Sequence, residues 1–387
     1  MQTDIVRLSS VMTLPVQPAT GDAIDMELGE AYYGAQKAVE EKLTDETIEV
    51  IKEFIDRRYR QGRRPALRDA HAKDNGCVHA IFRVDEGLKE ELRIGVFRDT
   101  GRSYNAWIRF SNGNSERQNS RFPDARGMAI KLMDVEGPKL LENAGDEEET
   151  RTQDFILISS PEFFVDDLIR YKNTLQKFLS GGTVAQYLSV LKLRGKEIWI
   201  AIKVNLTLIT NPLFHQYWSM TPYRLGVPPG TRFAVKYTAK PESPDPANLL
   251  YRLKTFLAPK FSLKTEMNKT LSRRDVCFDF FIQRYVDDER TPIEDTKVVW
   301  DETVSKPEHV AKIIIPAQNL ICADRATFCE NLSFSPWHGL LEHKPLGAIN
   351  RVRRRVYLEI SKHRHAKNGV PRREPAGHDP FRPIGSG

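Results

Sequence analysis

The chain reads as an α+β protein built on a large antiparallel sheet or barrel, on three observations. Short segments rich in β-branched and aromatic residues form one group over residues 78–159. A second such group covers residues 232–315. Stretches with helical spacing precede, separate and follow the two groups.

Taken in order, residues 1–43 read as an N-terminal arm with a few short elements. Thr44, followed by Asp45 and Glu46, starts a helix, and Ile48, Ile51 and Ile55 give it one apolar face. Gly62 and Pro65 end it. The first β-like group comprises Val78–Val84, Leu92–Phe97, Ala106–Ser111, Gly127–Met133 and Phe155–Ser159, interrupted by an acidic, solvated loop over residues 142–150. Pro161–Leu179 and Thr183–Leu193 have helical spacing, separated by Gly181 and Gly182. Arg232–Ala239, Asp275–Tyr285, Thr296–Trp300 and Val310–Ile315 form the second β-like group. Leu346–His363 reads as a closing helix, and the chain from Ala366 onward as an extended arm rich in Pro, Gly and Arg. No internal repeat is visible. The expected organisation is an arm and helix over 1–62, one main domain over 63–365 and a tail over 366–387.

The 387 residues suffice for a sizeable core around a cofactor, and 40% hydrophobic with 28% charged residues is a globular composition. Mean hydropathy is −0.47, and no run approaches the length of a membrane span. The first thirty residues carry Asp4, Asp22, Asp25, Glu27 and Glu30 instead of a basic-then-apolar leader, so a cytoplasmic protein without membrane insertion is expected. The net charge of +6 is spread along the chain with no nucleic-acid module, and nucleic acid is not an expected partner. An anionic small ligand suits the arginines better. Cys77, Cys277, Cys322 and Cys329 are scattered without metal-ligand spacing and read as ordinary reduced thiols.

Three segments carry candidate chemistry. The first is Arg68-x-x-His71-Ala72-Lys73. The second is Arg109-Phe110-Ser111 with Arg126-Gly127-x-Ala129-x-Lys131. The third is Arg353-x-x-x-Tyr357 with Arg364 seven residues on. On a helix, positions i, i+4 and i+11 share one stripe, which puts Arg353, Tyr357 and Arg364 on one face. Singly, each motif has an ordinary structural reading: a hydrogen-bonding histidine, charged strand ends, or a solvated basic face with a packed tyrosine.

As an ordered set, over roughly residues 60–365, they resemble the catalase-like family. That resemblance implies an eight-stranded antiparallel β-barrel with flanking helices, haem b as cofactor and a peroxide as substrate. It implies that Tyr357 is the axial iron ligand as a tyrosinate, an arrangement the general chemistry of catalases already describes, and that Arg353 favours the phenolate. It implies that His71 is the distal acid–base group, that Ser111 fixes its tautomer, and that Arg68, Arg109 and Arg364 pair with the haem propionates.

The sequence also departs from the family. True catalases carry a distal Asn before a Thr-Pro and an apolar strand, and alignment on Pro161 puts Thr152 there with Gln153 beside it. Both enter as candidate site residues, and the loss of Asn favours peroxidase or organic hydroperoxide chemistry over fast disproportionation of hydrogen peroxide. The Ser335-Pro336-Trp337-His338 and Pro345-Leu346-Gly347 runs look closer to the small catalase-related branch, some members of which convert fatty-acid hydroperoxides. Trp337 and His338 either line a pocket or pack in the core. A true catalase and a non-catalytic haem-binding or sensing protein remain the alternatives, and the arms at both ends suggest a homo-oligomer.

Overall fold

A computed structural model of the chain describes residues 28–122, 124–141, 151–163, 167–180, 209–244, 249–258 and 262–375. The expectations for the N-terminal arm to residue 27, the acidic loop, Gly181 to Leu193 and the last twelve residues fall outside these ranges.

Nine strands follow one another: β1 (Asp74–Val84), β2 (Ser103–Asn112), β3 (Arg126–Leu132), β4 (Gln153–Ile158), β5 (Tyr217–Trp218), β6 (Tyr223–Gly226), β7 (Arg232–Pro241), β8 (Val276–Arg284) and β9 (Glu308–Ile315). Neighbours pair antiparallel from β1 to β5, β5 pairs with β7, and β7, β8 and β9 lead back to β1. The ring of eight therefore closes into a barrel, with β6 as a ninth strand hairpinned to β7. The two sequence groups are the two halves of one barrel. Closure depends on the two residues of β5, where Trp218 pairs with Ile158 on one side and Thr238 on the other. A segment that short between Pro212 and Pro222 carries no alternation to read.

Strand alternation sends one set of side chains inward. Phe82, Phe155, Tyr237 and Phe280 meet there, with ring centroids 4.9–5.2 Å apart for the Phe155–Tyr237, Phe155–Phe280 and Phe82–Phe280 pairs. His343 is sealed among them. The Val96 N–H donates to its Nε2 at 3.1 Å, which leaves the ring proton on Nδ1, 2.8 Å from the Tyr237 hydroxyl. Burial pushes its pKa from 6.5 down to about 3, so it is neutral in the folded protein. A histidine whose folded pKa lies below its unfolded one withdraws stability as pH falls through that window. The unfolding free energy from urea titrations is expected to drop steadily between pH 6.5 and 4, by at most about 1.4 kcal/mol per pH unit for this group. His343→Gln is expected to start less stable but to lose stability less steeply with acid; an unchanged slope would refute the assignment.

Helices cover the barrel: α1 (Lys37–Arg60), α2 (Leu168–Ser180), α3 (Leu249–Leu257), α4 (Leu263–Leu271), α5 (Ala323–Asn331) and α6 (Ala348–Asn368). The helix α1 begins seven residues before Thr44, whose hydroxyl instead donates to the Glu40 carbonyl at 2.8 Å within the helix. Its Ile48, Ile51 and Ile55 pack against Ile349, Val352, Val356 and Ile360 of α6. A buried Arg351, bonded to Glu40 at 2.7 and 3.0 Å, ties the two helices together. The helix α6 runs through Ala366 to Asn368 and stops at Gly369, where φ is 63°. Among the described residues no helix is long and apolar enough to cross a membrane.

Two expected strands are turns. Leu92–Phe97 forms two short 3₁₀ turns because Gly95 takes φ 58°, leaving the extended region beside His343. In Thr296–Trp300 the Asp295 side chain accepts from the Lys297 N–H at 3.0 Å, and this local turn outweighs the β-propensity of Val298 and Val299. The helix expected from Pro161 starts at Leu168. Of the cysteines, Cys77 and Cys329 are buried, whereas Cys277 is only partly covered and Cys322 is exposed.

Candidate active site

The segment 65–73 lies against the end of β2. The His71 and Ala72 N–H groups donate to the Gly113 and Asn114 carbonyls at 3.1 Å each, and Arg109 Nη2 donates to the His71 carbonyl at 2.8 Å. Held from both sides, His71 adopts φ 57°, a left-handed conformation that a non-glycine residue keeps only where its surroundings impose it. Its Nδ1 lies 2.9 Å from Ser111 Oγ. Gly127 of β3 pairs with Ser111, and a Cβ there would stand 2.7 Å from both His71 Nδ1 and Ser111 Oγ. The glycine of the Arg126-Gly127 run is therefore required by the His71–Ser111 contact. Burial, then the cationic Arg109, Arg68 and Arg353, push the imidazole pKa down to about 4, so the ring is a neutral base at pH 7.

The helix α6 presents the other half. Arg353 is buried and donates to the Tyr357 hydroxyl at 3.1 Å, to Asn350 Oδ1 at 3.0 Å and to Thr221 Oγ1 at 3.3 Å. Burial works against its charge, yet the neighbouring Tyr357 and Tyr223 phenols raise its pKa above the ordinary value. Arg353 is also among the cations that lower the His71 pKa, which couples the imidazole electrostatically to this group. Tyr171 of α2 joins it: burial raises this phenol's pKa, and both Tyr357 and Asp69 add to the rise. Asp69 itself is pushed up to about 6 by burial. The sequence motifs marked neither Tyr171 nor Asp69.

Two of the three arginines expected at the propionates, Arg68 and Arg364, converge on a carboxylate that the motifs also did not mark. Glu330, in the last turn of α5, accepts from Arg68 at 3.1 Å, from Arg364 at 2.9 Å and from Arg117 at 3.3 Å. One carboxylate does not neutralise this group. Arg68 is lowered to about 9 by burial and by the repulsion of Arg109 and Arg364. Arg109 Nε is buried without a hydrogen-bond partner among the described residues.

Thr152 and Gln153 are not brought to His71. Gly127, beside His71, pairs with Ile158, whereas Gln153 pairs with Leu132, five residues further along β3 and roughly 17 Å away at the rise of a strand. Gln153 Oε1 accepts from the Leu340 N–H at 2.9 Å, and Lys139 donates to the Thr152 carbonyl at 3.2 Å. The outward face here holds a buried ion network: Lys131 lies 2.9 Å from Asp154 and 2.7 Å from Glu374 of the returning C-terminal segment. His338 Nδ1 lies 3.1 Å from the same Asp154, and the Trp337 indole donates to the Asn350 carbonyl at 2.7 Å, so both side chains serve packing.

No family model matches the chain, and no curated protein sequence matches it either. Solved structures do. A fungal catalase superposes with a TM-score of 0.59 at 16% identity, over 79% of this chain and 60% of its own. Catalase A of Saccharomyces cerevisiae gives 0.59 at 15% identity, over 84% and 68%. A bacterial catalase gives 0.59 at 13% identity, over 85% and 66%. At this identity the likeness is one of fold: the protein has the catalase fold, a closed eight-stranded antiparallel barrel with flanking helices. The chain spans 60 to 68% of the length of these catalases.

Proposed function

We propose that the protein is a haem b-dependent oxidoreductase that consumes a peroxide, organic hydroperoxides in preference to hydrogen peroxide. The observation that carries this is the presence, on a catalase fold, of a His71–Ser111 pair and an Arg353–Tyr357 pair, with Arg353 among the cations that lower the His71 pKa. The residues present fit a haem. Tyr357 offers a phenol oxygen that already accepts a hydrogen bond from the buried Arg353 guanidinium. Arg68, Arg109 and Arg364 leave an excess of buried cation over Glu330, and the unpartnered Arg109 Nε is suited to a propionate carboxylate.

Bound haem supplies the redox-active iron for O–O cleavage. The chain's own groups do the proton work. With Nδ1–H assigned toward Ser111 Oγ, His71 keeps its Nε2 lone pair free to take the proton of a hydroperoxide and return it to the departing oxygen. Neutrality at pH 7 keeps that lone pair available. The Gln153 amide is held by Leu340 instead of lying beside His71, which supports hydroperoxide consumption over rapid disproportionation.

Haem-replete protein is expected to consume a fatty-acid hydroperoxide faster than it releases oxygen from hydrogen peroxide. Oxygen electrode traces and hydroperoxide loss on the same preparation decide it. Faster oxygen release would make it a true catalase, and no turnover of either would reduce it to a haem-binding protein.

A further inference from the structure

A cavity of about 320 Å³ opens where α1 ends and the segment leading to His71 begins. Four arginines line it, Arg58, Arg63, Arg64 and Arg117, against one acidic residue, Glu116. Glu116 is shared: Arg58 reaches it at 2.8 Å and Arg63 at 3.0 Å. Arg64 stands 4.6 Å over the Tyr59 ring, and no carboxylate among the described residues pairs with it. Arg117 leans away to Glu330, which already holds Arg68 and Arg364. Burial, and then the repulsion of Arg63 and Arg117, lower the Arg58 pKa despite Glu116. The floor is different in kind: Ile55 and Ala66 are buried apolar residues.

A guanidinium rim above an apolar floor matches an anion that carries a hydrocarbon body. We infer that this cavity binds the carboxylate end of an amphiphilic acid. Naming that acid as the substrate or its product rests on the hydroperoxide reading above. The position suits it, because the wall residues Arg63–Leu67 continue directly into Arg68 and His71. From Leu67 to His71 is at most about 14 Å of chain, a span that a medium-length acyl chain bridges. Arg117 through Glu330 links the cavity to Arg68.

Titration calorimetry of the haem-replete full chain with dodecanoate, below its micelle concentration, tests this without any peroxide. Saturable binding is expected, weakened by added salt. The double variant Arg63→Gln/Arg64→Gln is expected to raise Kd at least about tenfold, and Glu116→Gln to lower it. Opposite movements of these two variants cannot come from general loosening of the fold. Methyl dodecanoate and inorganic phosphate are expected to bind much more weakly than dodecanoate. Equal binding by either control, or an unchanged Kd in the arginine variant, overturns the assignment. Binding as expected without hydroperoxide consumption leaves the site standing and sinks the proposed function; consumption without such binding does the reverse.

Discussion

Tyr357→Phe is expected to abolish stable haem binding, or to leave a haem whose ferric spectrum has lost the tyrosinate signature. The substitution removes one oxygen and little volume, so the fold should persist. Arg353 keeps its bonds to Asn350 and Thr221 and is not left without an acceptor in the interior. What disappears is the phenol oxygen that Arg353 holds one turn along α6. Haem affinity should fall by at least the 10- to 100-fold that loss of a supporting outer-shell contact typically costs, because here the ligand itself goes. Absorption spectra of reconstituted parent and variant, with melting curves to confirm the fold, provide the measurement. Tyr171 makes the experiment discriminating, since it shares the site with Tyr357 and Asp69. If Tyr357→Phe kept the parent spectrum while Tyr171→Phe lost it, the ligand would lie on α2.

How much of this was legible depended on how local the information was. The α6 stripe needs only helical spacing, and Arg353 does meet Tyr357 across one turn as i, i+4 geometry requires. The His71–Ser111 contact crosses forty residues, yet it is prepared by three short motifs whose order could be read. Glu330 had no such marker. Its importance arises because the end of α5 faces Arg68, Arg117 and Arg364 from three distant parts of the chain. Thr152 and Gln153 show the opposite failure. Counting back from Pro161 gave a position along β4, but position along a strand does not say which side chains the far end of the neighbouring strand will offer. Here those are Lys131 and the Leu340 backbone, and both residues are drawn into structural bonds. The barrel itself was visible in its long alternating strands and invisible at β5, where closure rests on two residues. Turn chemistry at Gly95 and Asp295 overrode β-propensity, because a positive φ or a side chain capping its own backbone ends a strand whatever its composition.

His71→Ala is expected to keep haem and lose peroxide turnover by roughly 10²- to 10⁴-fold, the usual worth of a positioned acid–base group. Nothing in the proposed cofactor attachment depends on the imidazole: the proposed ligand is Tyr357 of α6, and of the arginines proposed for the propionates Arg68 and Arg364 are held by Glu330 and Arg109 by the His71 backbone carbonyl, none by the ring. The spectrum and melting temperature should therefore stay close to the parent while the rate collapses. Ser111→Ala should cost less, because the Gly127 surface still confines the ring and only its tautomer is freed. The same assignment fixes a pH profile. Nε2 accepts a proton only when the imidazole is neutral, and burial with three arginines holds its pKa near 4. Turnover should rise as pH increases through about 4 and then stay level to neutrality, a limb that His71→Ala removes. An acid limb that persists in His71→Ala would belong to another group, and Asp69, pushed up to about 6 in the same site, is the first to examine. Undiminished turnover in His71→Ala would take His71 out of the mechanism and leave its left-handed conformation without a functional reason.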